Sequence, residues 1–417
     1  MWTRAVTLLK TELTHFHLLS VDMRRMLLSY ALYLAAYPLV MTFMDAYLWR
    51  TSGNLWAIVL YNLGYVIGIP TGFYLNGLLL RKFHILRLYF FGLLLQAIIP
   101  CFVVFFPLAN LIGILLYGCV CGCGAGLFWG NKNYLDQQLT RGSNRMYYNS
   151  LGQIFDVLLS MLIPVCAGWF IILVNTNHFG QSFLAYKIIM IVACILLFFS
   201  GLIIQFSHIQ QIVIRGMLVK HPSKTWRLMR LYNILFNIQI GSATVLPSVI
   251  ILILVGGEGI LGTLQGVTAG LSAIALYYVG RKATISSAWK FIGAGSLIFF
   301  VGTCVLAGFF TWVGGITYSI VISLAWASQW TQTNSVIMEL MDNEEPDPEK
   351  QYAYVCDNEI FYNSGRVIGI GIISVIAIVA SEHAALRWSP LIVGIIQLPL
   401  AFIIHSIVNT IEQTKPA

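Results

Sequence analysis

Twelve times between residues 26 and 410 the chain runs for about twenty residues with almost no charge. At 1.5 Å per residue, a helix of that length matches the ~30 Å hydrocarbon core of a bilayer. The runs fall at 26–48, 54–80, 88–106, 108–130, 148–174, 183–206, 230–255, 259–279, 291–310, 312–333, 360–381 and 386–410. They lack the period-two alternation of a membrane β-strand. They are apolar all round, with Gly and other small residues where helices can pack closely. Composition agrees: charged residues are 10% and hydrophobic residues 58%, against roughly 25% charge in a soluble domain. The expected fold is an all-α membrane protein with twelve transmembrane helices.

Basic residues collect in cytoplasmic loops. With the N-terminus inside, 20 of the 24 Lys and Arg residues fall on the inner side. Arg50, Lys187 and Arg387 fall outside, and Arg366 falls within a run. The asymmetry predicts both termini in the cytoplasm. It also accounts for the net charge of +8 through topology and contact with anionic lipid, without nucleic acid. Residues 1–25 are charged at both ends around an interrupted apolar pattern, which fits an amphipathic segment lying on the inner surface. Three of the eight cysteines form GCVCGCG, at Cys119, Cys121 and Cys123. Thiols two apart on a helix diverge, and no His or acid accompanies them, so the stretch reads as small-residue helix packing and no metal is implied.

An internal repeat divides the chain. Trp129 and Asn133 close the fourth run, and Trp330 and Asn334 close the tenth. Tyr148-Asn149-Ser150 opens the fifth, and Tyr362-Asn363-Ser364 opens the eleventh. The offset is 201 residues at the Trp and 214 at the Tyr, so the second copy has gained 13 residues around DNEEPDPEKQYAY. Two pseudo-symmetric six-helix halves follow, 26–206 and 230–410, with a basic linker at 207–229 and a tail at 411–417. Each half then carries an aromatic–amide cluster at its cytoplasmic mouth, a candidate gate. Half of the 16 acids lie between Glu339 and Glu359, read as a solvated inner loop or as part of that gate.

The span count, orientation and central linker resemble the major facilitator superfamily over nearly the whole chain. The hallmark loop between the second and third spans of that superfamily is matched here by GFYLNGLLLRKF. Gly72 is kept, Asn76 replaces an Asp, Gly77 replaces an Arg, and Arg81 with Lys82 supplies the basic pair. The second half ends its equivalent loop with Arg281 and Lys282. SMLIPVCAG keeps Pro164 and Gly168 of a motif found in drug–proton antiporters, which points to export. The resemblance extends to bacterial members and carries no substrate with it. It implies alternating access in the bacterial cytoplasmic membrane, with two halves rocking around a central site.

A charge inside a span is costly and marks a functional candidate. Asp156 lies eight residues into the fifth run and is the one acid expected deep in a span; it takes up a proton, holds a cationic group or makes a structural hydrogen bond. Arg366 binds an anion, pairs with Glu359 or snorkels to the inner surface. Asp45 and Glu258 are expected to be solvated. Asn62, Asn237 and Gln239 are cavity candidates or interhelical glue.

No phosphate-cradling, zinc-protease or nucleophile-elbow motif is present, which argues against an enzyme and leaves no cofactor implied. The readings are a monomeric secondary transporter of a small solute, with proton-coupled export as one form and uncoupled facilitation as another, or a non-transporting sensor or assembly partner on the same scaffold.

Overall fold

In the computed structural model the described residues are 16, 19–106, 110–139, 144–176, 183–209, 216–345 and 347–414. Most of the expected amphipathic segment, residues 210–215 of the linker and residues 415–417 of the tail lie outside them. The chain is all-helical. The first half runs α1 (Val21–Ser52), α2 (Leu55–Leu79), α3 (Ile85–Phe105), α4 (Leu111–Leu139), α5 (Asn144–Thr176) and α6 (Leu184–Gln205). The second runs α7 (Lys224–Leu254), α8 (Glu258–Lys282), α9 (Ala288–Gly308), α10 (Trp312–Glu344), α11 (Pro348–Val379), and then α12 (Glu382–Gln397) with α13 (Leu400–Thr414). The last expected span is thus two helices broken at Leu398-Pro399. Pro399 has no N–H to continue the ladder and disfavours the helical conformation in the residue before it.

Several helices begin before their apolar run does, because capping sets helix starts and hydropathy does not. Ser20 accepts a bond from the Met23 backbone N–H at 3.2 Å, and Ser223 one from that of Trp226 at 3.0 Å. Each satisfies an otherwise orphaned donor of a first turn. Gly53, at φ 60°, closes α1 in the left-handed conformation that glycine adopts without penalty.

Among the described residues, eleven helical segments are long and apolar enough to span a bilayer, counting α12 and α13 as one. The remaining helix, α10, is long enough but carries Ser319, Ser323, Ser328, Gln329, Gln332 and Thr333 along its middle. Such a helix is stable in a membrane where its polar face is covered by protein or water.

The packing is pseudo-symmetric. In the first half α1 packs on α5 and α6, α2 on α4, and α3 on α4 and α6. Six helices later the same pairs recur: α7 on α11 and α12, α8 on α10, α9 on α10 and α12. Two symmetry-related contacts, α5 with α8 and α2 with α11, join the halves. The α2–α4 pair is held by interlocked glycines, Gly64, Gly68 and Gly72 on one helix and Gly118, Gly122 and Gly126 on the other. A Cβ on Gly68 would collide with the Cys119 carbonyl, and one on Gly122 with the Tyr65 carbonyl. The Cys119 and Cys123 backbones are therefore part of this packing, and signature Gly72 is its last member on α2.

The acidic stretch is not a loop. Helix α10 continues to Glu344 and α11 starts at Pro348, so the extra residues of the second repeat are mostly helical. Asp357 is buried, receiving Arg230 Nε at 2.8 Å, Arg230 Nη2 at 2.6 Å and Trp226 Nε1 at 2.8 Å. Those partners come from the first turns of α7, which the sequence alone could not bring opposite α11.

Candidate functional site

Charged and amide side chains lie midway along the helices of both halves. Arg366 is on α11, whose backbone lies against Gly241 of α7. Its Nε donates to Asn237 Oδ1 at 3.3 Å and its Nη1 to Asn363 Oδ1 at 3.2 Å. Asn363 in turn donates to the Glu359 carbonyl at 2.8 Å and to Glu359 Oε2 at 3.3 Å. Arg366 therefore neither snorkels nor makes a direct ion pair with Glu359; an amide stands between them. Asn237 donates to the Asn233 carbonyl at 3.0 Å, and Asn233 to Asn358 Oδ1 at 2.6 Å. Gln239, two residues beyond Asn237 on α7, is buried with its Oε1 atom unpartnered.

Asp156 projects from α5, half-buried, and accepts one bond, from Ser160 Oγ at 3.3 Å. It is not the one acid deep in a helix: Asp45, Asp357 and Glu359 also lie within helices. Lys132, expected in an inner loop, is an α4 residue with its side chain 12% exposed. It pairs with Asp136 at 2.8 Å and lies 3.9 Å from the Tyr30 ring centroid and 5.4 Å from that of Trp129, a cation–π geometry. Tyr148 donates to the other oxygen of Asp136 at 2.8 Å. Lys132 and Asp136 are four apart, a helical ion-pair spacing that was readable in the sequence.

Tyr37 lies midway along α1, in ring contact with Tyr33 at 5.7 Å, and is 40% exposed.

The two repeat clusters are only partly equivalent. Tyr148 and Tyr362 are both buried, the first four residues into its helix and the second fourteen residues into its own. Trp330 stacks near Tyr362 at 6.1 Å and Phe236 at 6.4 Å, while Trp129 meets Tyr30 at 6.3 Å and Tyr33 at 5.6 Å. The amides diverge: Asn363 is buried, Asn334 is half-buried, and Asn133 and Asn149 are exposed.

Contacts between the halves lie toward both ends. At the end bearing the α1–α2 turn, Arg50 Nε and Nη2 reach Glu258 Oε1 and Oε2 at 2.7 and 3.3 Å. Tyr186 donates to Glu258 at 2.8 Å, so Glu258 of the second half is held by two residues of the first. A cavity of about 340 Å³ lies beside this pair, lined by Arg50, Asn175, Phe183, Tyr186 and Glu258. Glu258 and Asp45, both expected in solvent, are buried; Asp45 receives Asn62 Nδ2 at 2.9 Å. A lone basic residue and a lone acid on the same poorly charged side were the available signal for Arg50–Glu258. Between this end and the centre, Thr42 of α1 donates to Gln265 of α8 at 2.9 Å. At the opposite end, Asn76 accepts from Asn131 at 2.7 Å and donates to Tyr352 OH at 3.2 Å, and that hydroxyl donates to the Phe73 carbonyl at 3.1 Å. Asn76 thus ties α2 to α4 and to α11 of the other half. Arg81 and Lys82 are exposed in the turn that follows.

No protein-family model matches the chain. It is 25% identical over 369 residues to the uncharacterised protein YqgE of Bacillus subtilis (strain 168), covering 87% of this chain and 84% of that one. A protein encoded in the sodM 3' region of Geobacillus stearothermophilus is 27% identical over 159 residues, 37% of this chain and 71% of that one. Among solved structures, the nucleoside transporter NupG aligns at TM-score 0.65 with 12% identity, over 93% of this chain and 99% of that one. A D-xylose-proton symporter aligns at 0.66 with 12% identity, over 92% and 96%. A bacterial homolog of the human lysosomal transporter Spinster, inward-facing and occupied, aligns at 0.66 with 11% identity, over 95% and 98%. The chain is a multi-pass integral membrane protein with the fold of the major facilitator transporters.

Proposed function

We propose that this protein is a secondary transporter that moves a small solute across a bacterial cytoplasmic membrane by alternating access. The observation that carries the reading is the pair of pseudo-symmetric halves with charged and amide side chains midway along their helices. Asp156 comes from one half, Arg366 with Asn237 and Asn363 from the other, and inter-half contacts lie beyond them toward each end. A polar solute pays heavily to enter hydrocarbon; a charged site roofed by protein at both ends gives it a path. Asn62, with Asp45, and Gln239 border that path. The Trp129–Tyr148 and Trp330–Tyr362 clusters act as the gate at the basic end, and the signature positions Gly72 and Asn76 hold α2 while Arg81 and Lys82 set its orientation. Energy comes from the solute's own gradient or from protons, with export as the direction, and no enzymatic step is involved.

The test is flux in proteoliposomes. Purified protein is reconstituted and loaded with a panel of nucleosides, pentoses, peptides, amino acids, amines and carboxylates, with and without an imposed pH gradient. Counterflow of at least one member is expected, and its dependence on the gradient separates proton coupling from facilitation. A protein that melts cooperatively yet moves nothing from the panel in either condition would instead be a sensor or assembly partner.

A further inference from the structure

Between Glu258 and Glu339 the sequence holds no acid, and its three cations there, Arg281, Lys282 and Lys290, gather at one turn. Arg281 and Lys282 end α8, a short 3-10 turn follows at Ile285–Ser287, and Lys290 lies in the first turn of α9. All three are exposed, and none has an ion-pair partner among the described residues. Helices α10 and α13 also touch this turn. They carry acids near their ends, Glu339, Asp342, Glu344 and Glu412, yet none of these pairs with the three cations.

Aromatic rings hold two of these cations in place. The Arg281 guanidinium lies 4.7 Å from the Tyr277 ring centroid, and Lys290 Nζ lies 5.6 Å from that of Trp289, both within cation–π reach. Tyr277 is 56% and Tyr278 62% exposed. They lie one turn further into α8 than the cations, on the hydrocarbon side of them. Tyr and Trp favour this depth, where the ring meets acyl chains and the polar edge meets headgroups. The matching turn of the first half, between α2 and α3, carries Arg81, Lys82 and Arg87, all exposed. There the linker comes across. His84 Nε2 donates to the Ile209 carbonyl at 3.0 Å, and a Cβ on Gly77 would lie 2.9 Å from Met217 Cε. The α8–α9 turn has no linker bond among the described residues; its hydroxyls, on Thr284, Ser286 and Ser287, bond within the turn. Pseudo-symmetry is broken here: one basic turn is strapped by protein and the other is left bare.

We propose that the α8–α9 turn is a binding site for an anionic phospholipid, with the headgroup phosphate at Arg281, Lys282 and Lys290 and the acyl chains against Tyr277 and Tyr278. The site is independent of the transport reading above. Charge selects an anion. Three uncompensated cations at one turn repel one another, and a phosphate oxyanion relieves that repulsion while accepting charge-assisted hydrogen bonds. The rings select a lipid over a free phosphate, because only a lipid covers the exposed tyrosines with hydrocarbon. Net headgroup charge selects among lipids. A zwitterionic headgroup brings its own cation to the turn and cancels much of the attraction.

The test is native mass spectrometry of purified full-length protein, titrated with phosphatidylglycerol or with phosphatidylcholine of the same chains. The first phosphatidylglycerol is expected to bind at the lower concentration. Arg281→Gln, Lys282→Gln and Lys290→Gln should each weaken that binding by about fivefold, the worth of one cation at a membrane surface. Tyr277→Leu keeps an apolar side chain but removes the ring beneath Arg281, and should weaken it by about two- to fivefold. The charge-keeping triple variant Arg281→Lys, Lys282→Arg, Lys290→Arg guards against misfolding and should retain the site. The matched triple of the first half, Arg81→Gln, Lys82→Gln, Arg87→Gln, should weaken the first binding event far less than the Gln triple at the α8–α9 turn. Equal binding of the two lipids overturns the proposal, as does undiminished binding by the Gln triple at this turn. Equal losses from the two Gln triples would mean a diffuse surface charge and also overturn it. Displacement of the lipid by an equal concentration of glycerol 1-phosphate would reduce the site to one for free phosphate and reject the lipid.

Discussion

The Arg50–Glu258 pair joins α1 to α8 and should bias the protein toward closure at that end. Glu258→Gln removes the charge and keeps the shape. Two unit charges about 4 Å apart attract by ~4 kcal/mol at an effective dielectric of 20. The Arg50 side chain is 43% exposed, so solvent screens much of that and about 1–2 kcal/mol is left. The closed-to-open ratio at this end should then fall by roughly 5- to 30-fold. Arg50→Gln should cost more than Glu258→Gln, because it strands a carboxylate whose side chain is only 9% exposed, whereas the reverse change strands a solvated guanidinium. The assay is a spin-label distance distribution between Thr176→Cys and Thr311→Cys, one on each half at this end, in a background without the native cysteines. The long-distance fraction should rise in both variants, more in Arg50→Gln. Unchanged distributions in both, or a larger effect from Glu258→Gln, would refute the reasoning.

Other outcomes follow from the packing and the topology. Gly68→Ala places a methyl group against the Cys119 backbone and should destabilise the protein by about 1–3 kcal/mol, read as a lowered thermal midpoint; Gly371→Ala, which meets nothing, is the matched control. Tyr352→Phe removes a hydroxyl shared by Asn76 and the Phe73 carbonyl and should loosen the basic end by about 1 kcal/mol, seen as a longer spin-label distance between α2 and α11. Replacing Tyr148 and Tyr362 together with Ala should shift the same distance, and no shift would leave the repeat without a gating role. Single cysteines at Leu218 and Glu345 should label only from the cytoplasm and one at Thr311 only from outside; the reverse pattern would overturn the orientation.

What could be read from the letters was whatever the bilayer dictates locally. A run of apolar residues must be a helix because hydrocarbon offers its backbone no other partner, and so the twelve runs reappear as helices. Helix ends were less legible, since Ser20 and Ser223 cap helices outside the apolar stretch. Burial was least legible. Asp45 and Glu258 looked like solvated residues beside turns, yet their partners Asn62, Arg50 and Tyr186 arrive from other helices, and no local pattern encodes that. The Tyr-Asn-Ser repeat falls on a buried tyrosine in both copies. It did not foresee that Asn363 is buried and Asn149 exposed, because α11 begins well before its copy and α5 begins just before its own.

The α5–α8 contact between the halves is made largely of backbone. Pro164 and Glu258 present carbonyls to Gly262 and Gly168, and Met161 presents one to Gly266. Side chains that interlock resist rotation; smooth backbone surfaces roll. The contact lies nearer one end of α5, about twenty residues, or ~30 Å, from the helix start at Asn144. That makes it a fulcrum with unequal arms. A rotation of about 10° around it, modest beside the ≈ 15° of haemoglobin's subunit rotation, would carry the Asn144 end through roughly 5 Å and the Thr176 end, about twelve residues away, through roughly 3 Å. Leverage of this kind turns a shift at the short arm into a larger aperture at the long one.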